Sequence, residues 1–433
     1  MHRALIVLDG LGDLPNPETG GRTPTDAAAT PHLDGLAQRG RLGLVDLLGP
    51  GIAPESDAGV IALLGLDPVT DSPGRGVLEA LGIGLPLSAG DIALRLNFAT
   101  SDGDGIIIDS RVGRSLGTTE AASLARALTE ADLLEDHGVR AEVRATVGHR
   151  GVLWLHPREG GPLSPAISNS DPFYAREGGM GKARPRVGAA RPEPVRAMDG
   201  SAAALRTADL VETFLSKARP ILVGHSVNAK RALGGRPMAN DLLLRHAGTL
   251  PSTGPGSFEA RTGWHGAAIT EMPVERGIAR WLGLDDRFVG PMGPDRAAAL
   301  TERAAVTRQA LADHDFVYVH LKGPDEPGHD GRARAKQEVI EAIDRSFFGP
   351  FLDGLDLATH RILVTADHST PCALMAHSDD PVPTLLAGQG IEPAPGSPGR
   401  VKFGESAAAS GALGRLRGNQ ALALLDGAGR RPA

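Results

Sequence analysis

Three short apolar runs punctuate the chain: Ala4–Leu8, Phe316–Leu321 and Ile362–Thr365. Each is rich in Val, Ile or Leu and ends in a loop of Asp, Gly, Pro or His. Continuous apolar runs of this length fit strands buried on both faces, as in a mostly parallel sheet covered by helices. The middle of the chain has a different rhythm. Ile92–Ala99 and Val152–His156 read as strands, Glu120–Leu128 and Ala203–Ala218 as helices, and Gly178–Pro194 as a loop. A further helix is expected over Ala58–Leu64, and the terminal GAGRRPA reads as a frayed tail. The expected fold class is α/β. A mostly parallel sheet sandwiched by helices is built from residues 1–72 and 258–433, and residues 73–257 form a smaller inserted α/β domain.

Composition agrees with more than one folded unit, because 433 residues exceed what one core usually spans. A net charge of −7 without basic blocks argues against nucleic acid as a partner, so phosphate recognition must rest on a few placed cations. The single cysteine, Cys372, cannot pair within the chain and fits a reducing compartment. No secretory apolar segment and no run near 20 apolar residues is present, so a cytoplasmic chain without a membrane partner is expected. Oligomeric state is not legible.

The candidate chemistry sits in the loops after the three strands. Asp9 follows the first, Asp325 and His329 the second, and Asp367, His368 and His377 the third. Taken singly, an Asp at a strand end is a turn residue and a lone His is a surface residue. Parallel strands would bring all six to one edge, where ligands gather in such sheets. Carboxylate oxygens and imidazole nitrogens together suit Zn²⁺, Mn²⁺ or similar divalent ions. Ser56 opens the helical run after Gly51–Glu55 and has two readings: an N-cap, or a nucleophile at a helix N-terminus that attracts phosphate. The segment Gly224-His225-Ser226-Val227-Asn228 follows a strand-like ARPILVG but lacks the closing glycine of a nucleophile elbow. Cys372 reads as a packed small side chain.

The runs LIVLDGLGD, TPTDAAATPHLDGLAQRG and ESDAGVIALLGLDP, followed by LRLNFAT, IIIDSRVGR, HRGVLWL and ISNSDP, have a familiar order. With HDFVYVHLKGPDEPGHDG and TADHSTPCALMAHSDDPVP, the sequence resembles the archaeal-type, cofactor-independent phosphoglycerate mutases of the alkaline phosphatase superfamily. The resemblance implies an alkaline-phosphatase-like fold and interconversion of 3- and 2-phosphoglycerate without bisphosphoglycerate. It implies one metal held by Asp9, Ser56, Asp367 and His368, a second by Asp325, His329 and His377, and Ser56 as the phosphoryl acceptor. Arg95, Arg111, Arg114, Arg150 and Arg231, with Asp171 and Lys322, are the candidate contacts to a small phosphorylated acid.

Some positions depart from the family pattern. Ala58, Gly59 and Val60 replace Thr, Ala and His after the nucleophile, and Glu55 replaces glycine. Trp264-His265 stands where a lysine is common, and Ala366 and Asp379 each replace a glycine. These positions are expected near the substrate, which leaves room for a phosphonate-metabolism transferase or a phosphohydrolase as alternative readings.

Overall fold

In the computed structural model, residues 1–177, 180–184, 188–251, 255–393 and 401–426 are described. The expected frayed tail and parts of the expected loop 178–194 lie outside them. The chain divides into two compact units, Met1–Pro68 with Gly256–Ala433, and Val69–Pro255.

The first unit is organised by an eight-stranded sheet. Its order is Asp285–Phe288, Gly266–Thr270, Phe316–Leu321, His2–Leu8, His360–Thr365, Val382–Gly388, Gly40–Asp46 and Gly414–Arg417. The first five strands run parallel, and Val382–Gly388 is antiparallel to both of its neighbours. The three apolar runs of the sequence are the central strands. All six residues of Phe316–Leu321 are buried, as expected where helices cover both faces. The α/β architecture with a large, mostly parallel sheet is therefore present. Among the described residues, no helix is long and apolar enough to cross a membrane.

The second unit holds an antiparallel sheet. Ile92–Ser101 lies between Asp241–Gly248 and Arg150–Pro157, and Arg150–Pro157 pairs in turn with Val139–Ala145. Strict alternation along Ile92–Ser101 sorts its side chains. Leu94, Leu96 and Phe98 enter a core with Leu124 and Leu128 of helix Thr118–Glu130 and with Val211 and Phe214 of helix Ala202–Gly224. Ala93 faces the other way, onto Val77 and Ala80 of helix Arg75–Gly82. The strand-like ARPILVG is in fact the last two turns of Ala202–Gly224, a 23-residue helix that carries Pro220 inside it. Its apolar residues continue the face that packs on the sheet, and helical spacing wins over the local β-branched signal.

Candidate active site

His2–Leu8, Phe316–Leu321 and His360–Thr365 are adjacent parallel strands, so the residues that follow them are neighbours. Asp9, Asp325 and Asp367 come from these three ends. Gly10 turns the chain with φ +62°, and a Cβ there would stand 2.7 Å from Thr370 Oγ1 and 2.8 Å from Asp325. Glycine thus lets the loops close, and its N–H donates to Asp367 Oδ1 at 3.1 Å.

The segment Asp325–His329 is a short helix, which sets those two side chains one turn apart on one face. His329 Nδ1 donates to the Met375 carbonyl at 3.1 Å, and His377 Nδ1 to the Pro54 carbonyl at 2.8 Å. A carbonyl can only accept, so each neutral ring presents an unprotonated Nε2. These two Nε2 atoms lie 3.2 Å apart, and each is 3.5 Å from Asp325 Oδ1. Lone pairs converging on a carboxylate repel one another; a divalent cation among them reverses the sign. The donor set fits such an ion.

Thr370 settles the tautomer of the next ligand. Its hydroxyl donates to Asp325 Oδ1 at 2.7 Å, so it accepts from His368 Nδ1 at 3.0 Å. His368 Nε2 is left facing Ser56 Oγ at 3.3 Å, Asp367 Oδ2 at 3.4 Å and Asp9 Oδ1 at 3.5 Å. Asp9 Oδ1 and Asp367 Oδ2 are buried with no hydrogen-bond partner among the described residues. Burial, and then the charge of Asp9, push the Asp367 carboxyl up to about 7. Asp9 is held well below the usual carboxylate range: burial opposes its charge, but Lys322, His320 and His368 outweigh it. Two buried carboxylates with orphaned oxygens call for a cation between them.

Ser56 is the first residue of helix Ser56–Leu63 rather than its cap; Glu55 is the cap and makes no side-chain capping bond. The helix is drawn against the third loop because Gly59 has no side chain. A Cβ there would fall 1.9 Å from the Asp367 carbonyl oxygen. The Ser56 hydroxyl therefore sits at the helix N-terminus and beside the loop that carries Asp367.

Two residues near this cluster, His320 and Glu275, are hard to see in the sequence. His320 is buried, with Nε2 3.6 Å from Asp9 Oδ1 and 3.7 Å from Asp367 Oδ2, and its Nδ1 pairs with Tyr318 Oη at 2.6 Å. It is hidden inside an apolar strand; the signal available was a histidine near the end of a strand whose loop carries ligands. Glu275 comes from helix Pro273–Trp281 and pairs with Lys322 Nζ at 2.6 Å, while Lys322 also lies 3.3 Å from Asp9. Burial alone would lower the Lys322 ammonium, but Asp9 and Glu275 hold it far on the charged side.

The second unit contains a separate cationic cluster. Arg95 and Arg245 are direct cross-strand partners, and Arg150 belongs to the neighbouring strand. Glu79 accepts from Arg75 at 3.2 Å and pairs with Arg95 at 3.1 Å; Asp171 pairs with Arg245 at 2.5 Å. Burial and the charge of Arg75 push Arg95 down to about 9, and burial with Arg150, Arg111 and Arg95 pushes His149 down to about 3. Positive charge exceeds negative here, which is the electrostatics of an anion site.

The family described as 2,3-bisphosphoglycerate-independent phosphoglycerate mutase matches over residues 37–228. A protein of that name from Aeropyrum pernix is 45% identical, across 98% of this chain and 99% of its own length. One from Methanopyrus kandleri is 39% identical, across 97% of this chain and 94% of its own. The chain belongs to this mutase family. Among solved structures, the cofactor-independent phosphoglycerate mutase of Thermoplasma acidophilum is 34% identical with a TM-score of 0.64, covering 98% of each chain. A protein of Pyrococcus horikoshii is 31% identical with a TM-score of 0.78, covering 100% of this chain and 99% of its own.

Set against the expectations for such a mutase, all seven residues read as ligands or nucleophile fall in the first unit's loop cluster, and Lys322 with them. Arg95, Arg150 and Asp171 fall in the arginine cluster, joined by Arg75, Arg245 and His149, which the sequence did not single out. Arg111 is half-buried and acts on His149, whereas Arg114 is exposed in the following turn. Arg231 stands apart. It is fully buried, and its guanidinium donates to Pro237 O, Ser115 O, Ser115 Oγ and Glu120 Oε2, which leaves little for a substrate. Its position corrects the reading of Arg231 as a substrate contact. Arg231→Met should leave KM unchanged and destabilise the second unit by about 1–3 kcal/mol, since Pro237 O, Ser115 O and Ser115 Oγ would lose their donor; a raised KM at unaltered stability would restore the substrate role.

The departures from the mutase pattern also find their places. Ala58 and Val60 are buried within helix Ser56–Leu63, and Asp379 Oδ2 accepts from Gly51 N–H at 2.6 Å, bracing the loop before Ser56. Trp264 and His265 precede strand Gly266–Thr270 and so lie at the sheet's opposite edge, away from the ligand loops. Trp264 packs on Phe258 and Phe316 under the Arg3 guanidinium. Gly224-His225-Ser226 joins two helices and is no elbow.

Proposed function

We propose that the chain interconverts 3-phosphoglycerate and 2-phosphoglycerate through a phosphoserine on Ser56, with two divalent cations. The observation that carries this reading is the Ser56 hydroxyl, 3.3 Å from His368 Nε2 at a helix N-terminus and beside two carboxylates with orphaned oxygens. Asp9, Ser56, Asp367 and His368 would hold one cation, and Asp325, His329 and His377 the other. When bound, the ions neutralise phosphate oxygens and make the serine hydroxyl more acidic. Mixed carboxylate and imidazole donors favour Mn²⁺, Zn²⁺ or Co²⁺, with Mg²⁺ the poorer match.

Ser56 Oγ attacks phosphorus, the bond from phosphorus to substrate O3 breaks, and the proton lost by the Ser56 hydroxyl is made good on O3 as glycerate is released within the site. The positive end of the Ser56–Leu63 helix dipole favours the negative charge of the phosphoserine. Attack by glycerate O2 on the same phosphorus then regenerates Ser56 and gives 2-phosphoglycerate. Lys322 keeps Asp9 ionised and its charge balanced. Within the second unit, the arginine cluster built on Arg75, Arg95, Arg150 and Arg245 has the charge balance of an anion site in its own right. Because Ala58 and Val60 are interior residues, their departure from the family pattern bears on packing rather than on the acceptor.

The test is turnover of 3-phosphoglycerate in Mn²⁺ buffer, with 2-phosphoglycerate and free phosphate measured separately. Formation of 2-phosphoglycerate without added bisphosphoglycerate is expected, and free phosphate alone would replace the mutase by a phosphohydrolase. His320 adds a further check. Through its approach to Asp9 and Asp367 it orients the first cation's ligands, so His320→Gln should weaken Mn²⁺ affinity about 10–100-fold. Unchanged affinity by equilibrium dialysis would confine His320 to packing.

A further inference from the structure

A second group of metal-ligating side chains occupies the other end of the same sheet. His265 precedes strand Gly266–Thr270, Asp285 opens Asp285–Phe288, and His314 lies two residues before Phe316–Leu321. These strands are adjacent and parallel, so their amino ends converge. One ligand atom from each of the three residues lies within 4.8 Å of the others. The mutase chemistry belongs to the carboxyl ends, and nothing in it uses this group.

His314 is the most constrained member. Its side chain is 2% exposed, and its Nδ1 donates to the Ala310 carbonyl at 2.9 Å. In the neutral ring Nε2 then carries a lone pair, and it faces Asp285 Oδ2 at 3.0 Å. Two electron-rich atoms at that distance need a proton or a metal ion between them. His265 stacks on His314 with ring centroids 4.7 Å apart and planes 14° from parallel. The His265 backbone is pinned: its N–H donates to Asp315 Oδ2 at 3.1 Å, and its carbonyl accepts from Asp315 N at 2.9 Å. Its ring is half exposed, with Glu259 Oε2 3.6 Å from Nδ1. His314 also caps the carboxyl end of helix Arg296–Asp313, whose last carbonyls favour a cation.

We propose that His265, Asp285 and His314 form a binding site for a borderline transition-metal ion such as Zn²⁺, separate from the mutase centre. Two imidazoles and one carboxylate, with water completing the shell, suit Zn²⁺, Ni²⁺ or Cu²⁺ better than Mg²⁺ or Ca²⁺. Asp285–Phe288 is the sheet's edge strand and pairs with Gly266–Thr270 alone. An ion held here cross-links three strand ends and fastens that edge. Arg287 adds a positive charge near Asp285, so moderate affinity is expected.

The test is equilibrium dialysis of Zn²⁺ against the full chain carrying D325N and D367N, which disables the mutase centre. One bound ion per chain is expected, with H265Q or D285N each weakening it at least tenfold. In the otherwise unaltered chain with its mutase centre filled by Mn²⁺, H265Q/D285N should bind one Zn²⁺ fewer at unchanged turnover. In the D325N/D367N background, Zn²⁺ should raise the melting temperature only where all three residues remain. Equal Zn²⁺ stoichiometry in the Mn²⁺-filled parent and H265Q/D285N chains would overturn the site.

Discussion

Ser56→Ala is expected to lower turnover of 3-phosphoglycerate by roughly four orders of magnitude or more, the loss typical when a nucleophile is removed. Metal content should barely change, because Asp9, Asp367 and His368 keep their positions and Ser56 is only one donor among them. Stability separates the two readings of this serine. Were Ser56 the helix cap, alanine would cost about 1 kcal/mol. It occupies the first helical turn instead, with Glu55 as cap, so the melting temperature should hold. The measurements are a rate assay, a metal analysis and a thermal scan on one preparation. A variant that keeps a tenth of the parent rate would remove Ser56 from the covalent step.

The second large effect concerns a residue that touches neither metal nor substrate. Lys336, on helix Ala333–Ile343, is fully buried. Its ammonium donates to Gly12 O at 3.0 Å, Asp13 Oδ2 at 2.9 Å and Thr370 O at 2.9 Å. Asp13 in turn accepts from the Cys372 N–H at 3.1 Å. One cation thus joins the loop that carries Asp9 to the loop that carries Asp367 and His368. Lys336→Met leaves Asp13 as an uncompensated buried carboxylate, at a cost of about 3–5 kcal/mol. That corresponds to a fall in melting temperature of about ten degrees for a unit of this size. Activity should fall with it, since the ligand loops lose their tie. D13N/K336M should recover part of the stability, because no charge is then stranded. A loss below about 1 kcal/mol in the single variant would show the network to be dispensable.

The contrast between these residues shows what a sequence makes visible. Asp9, Asp325 and Asp367 could be grouped because each follows a local apolar run, and adjacency of parallel strands does the rest. His329 groups with Asp325 because both stand in the loop after the second strand, and only the structure shows the short helix Asp325–His329. Arg231 and Arg245 could not be told apart. Both are arginines in the middle segment, and only the pairing of Ile92–Ser101 with Asp241–Gly248 puts Arg245 across from Arg95. The burial of Arg231 against Glu120 depends on a partner 111 positions away. His320 and Lys336 are invisible for a related reason: each sits in a regular element whose composition explains itself without them. The arginine face of the second unit was nevertheless written in the alternation Leu94, Arg95, Leu96, where one polar residue interrupts an apolar strand.

Gly59 sets a tolerance that no side chain could set. Its α-carbon rests against the Asp367 backbone, so the gap between the nucleophile's helix and the ligand loop is gauged by main chain on main chain. Side-chain rotamers cannot drift to change it, and substitutions elsewhere in the helix leave it alone. Any residue larger than glycine would act as a shim, lifting Ser56 away from His368 by a distance that attack geometry does not forgive. A chain that alters its acceptor specificity must therefore do so from the substrate's side of the site, leaving this spacing untouched.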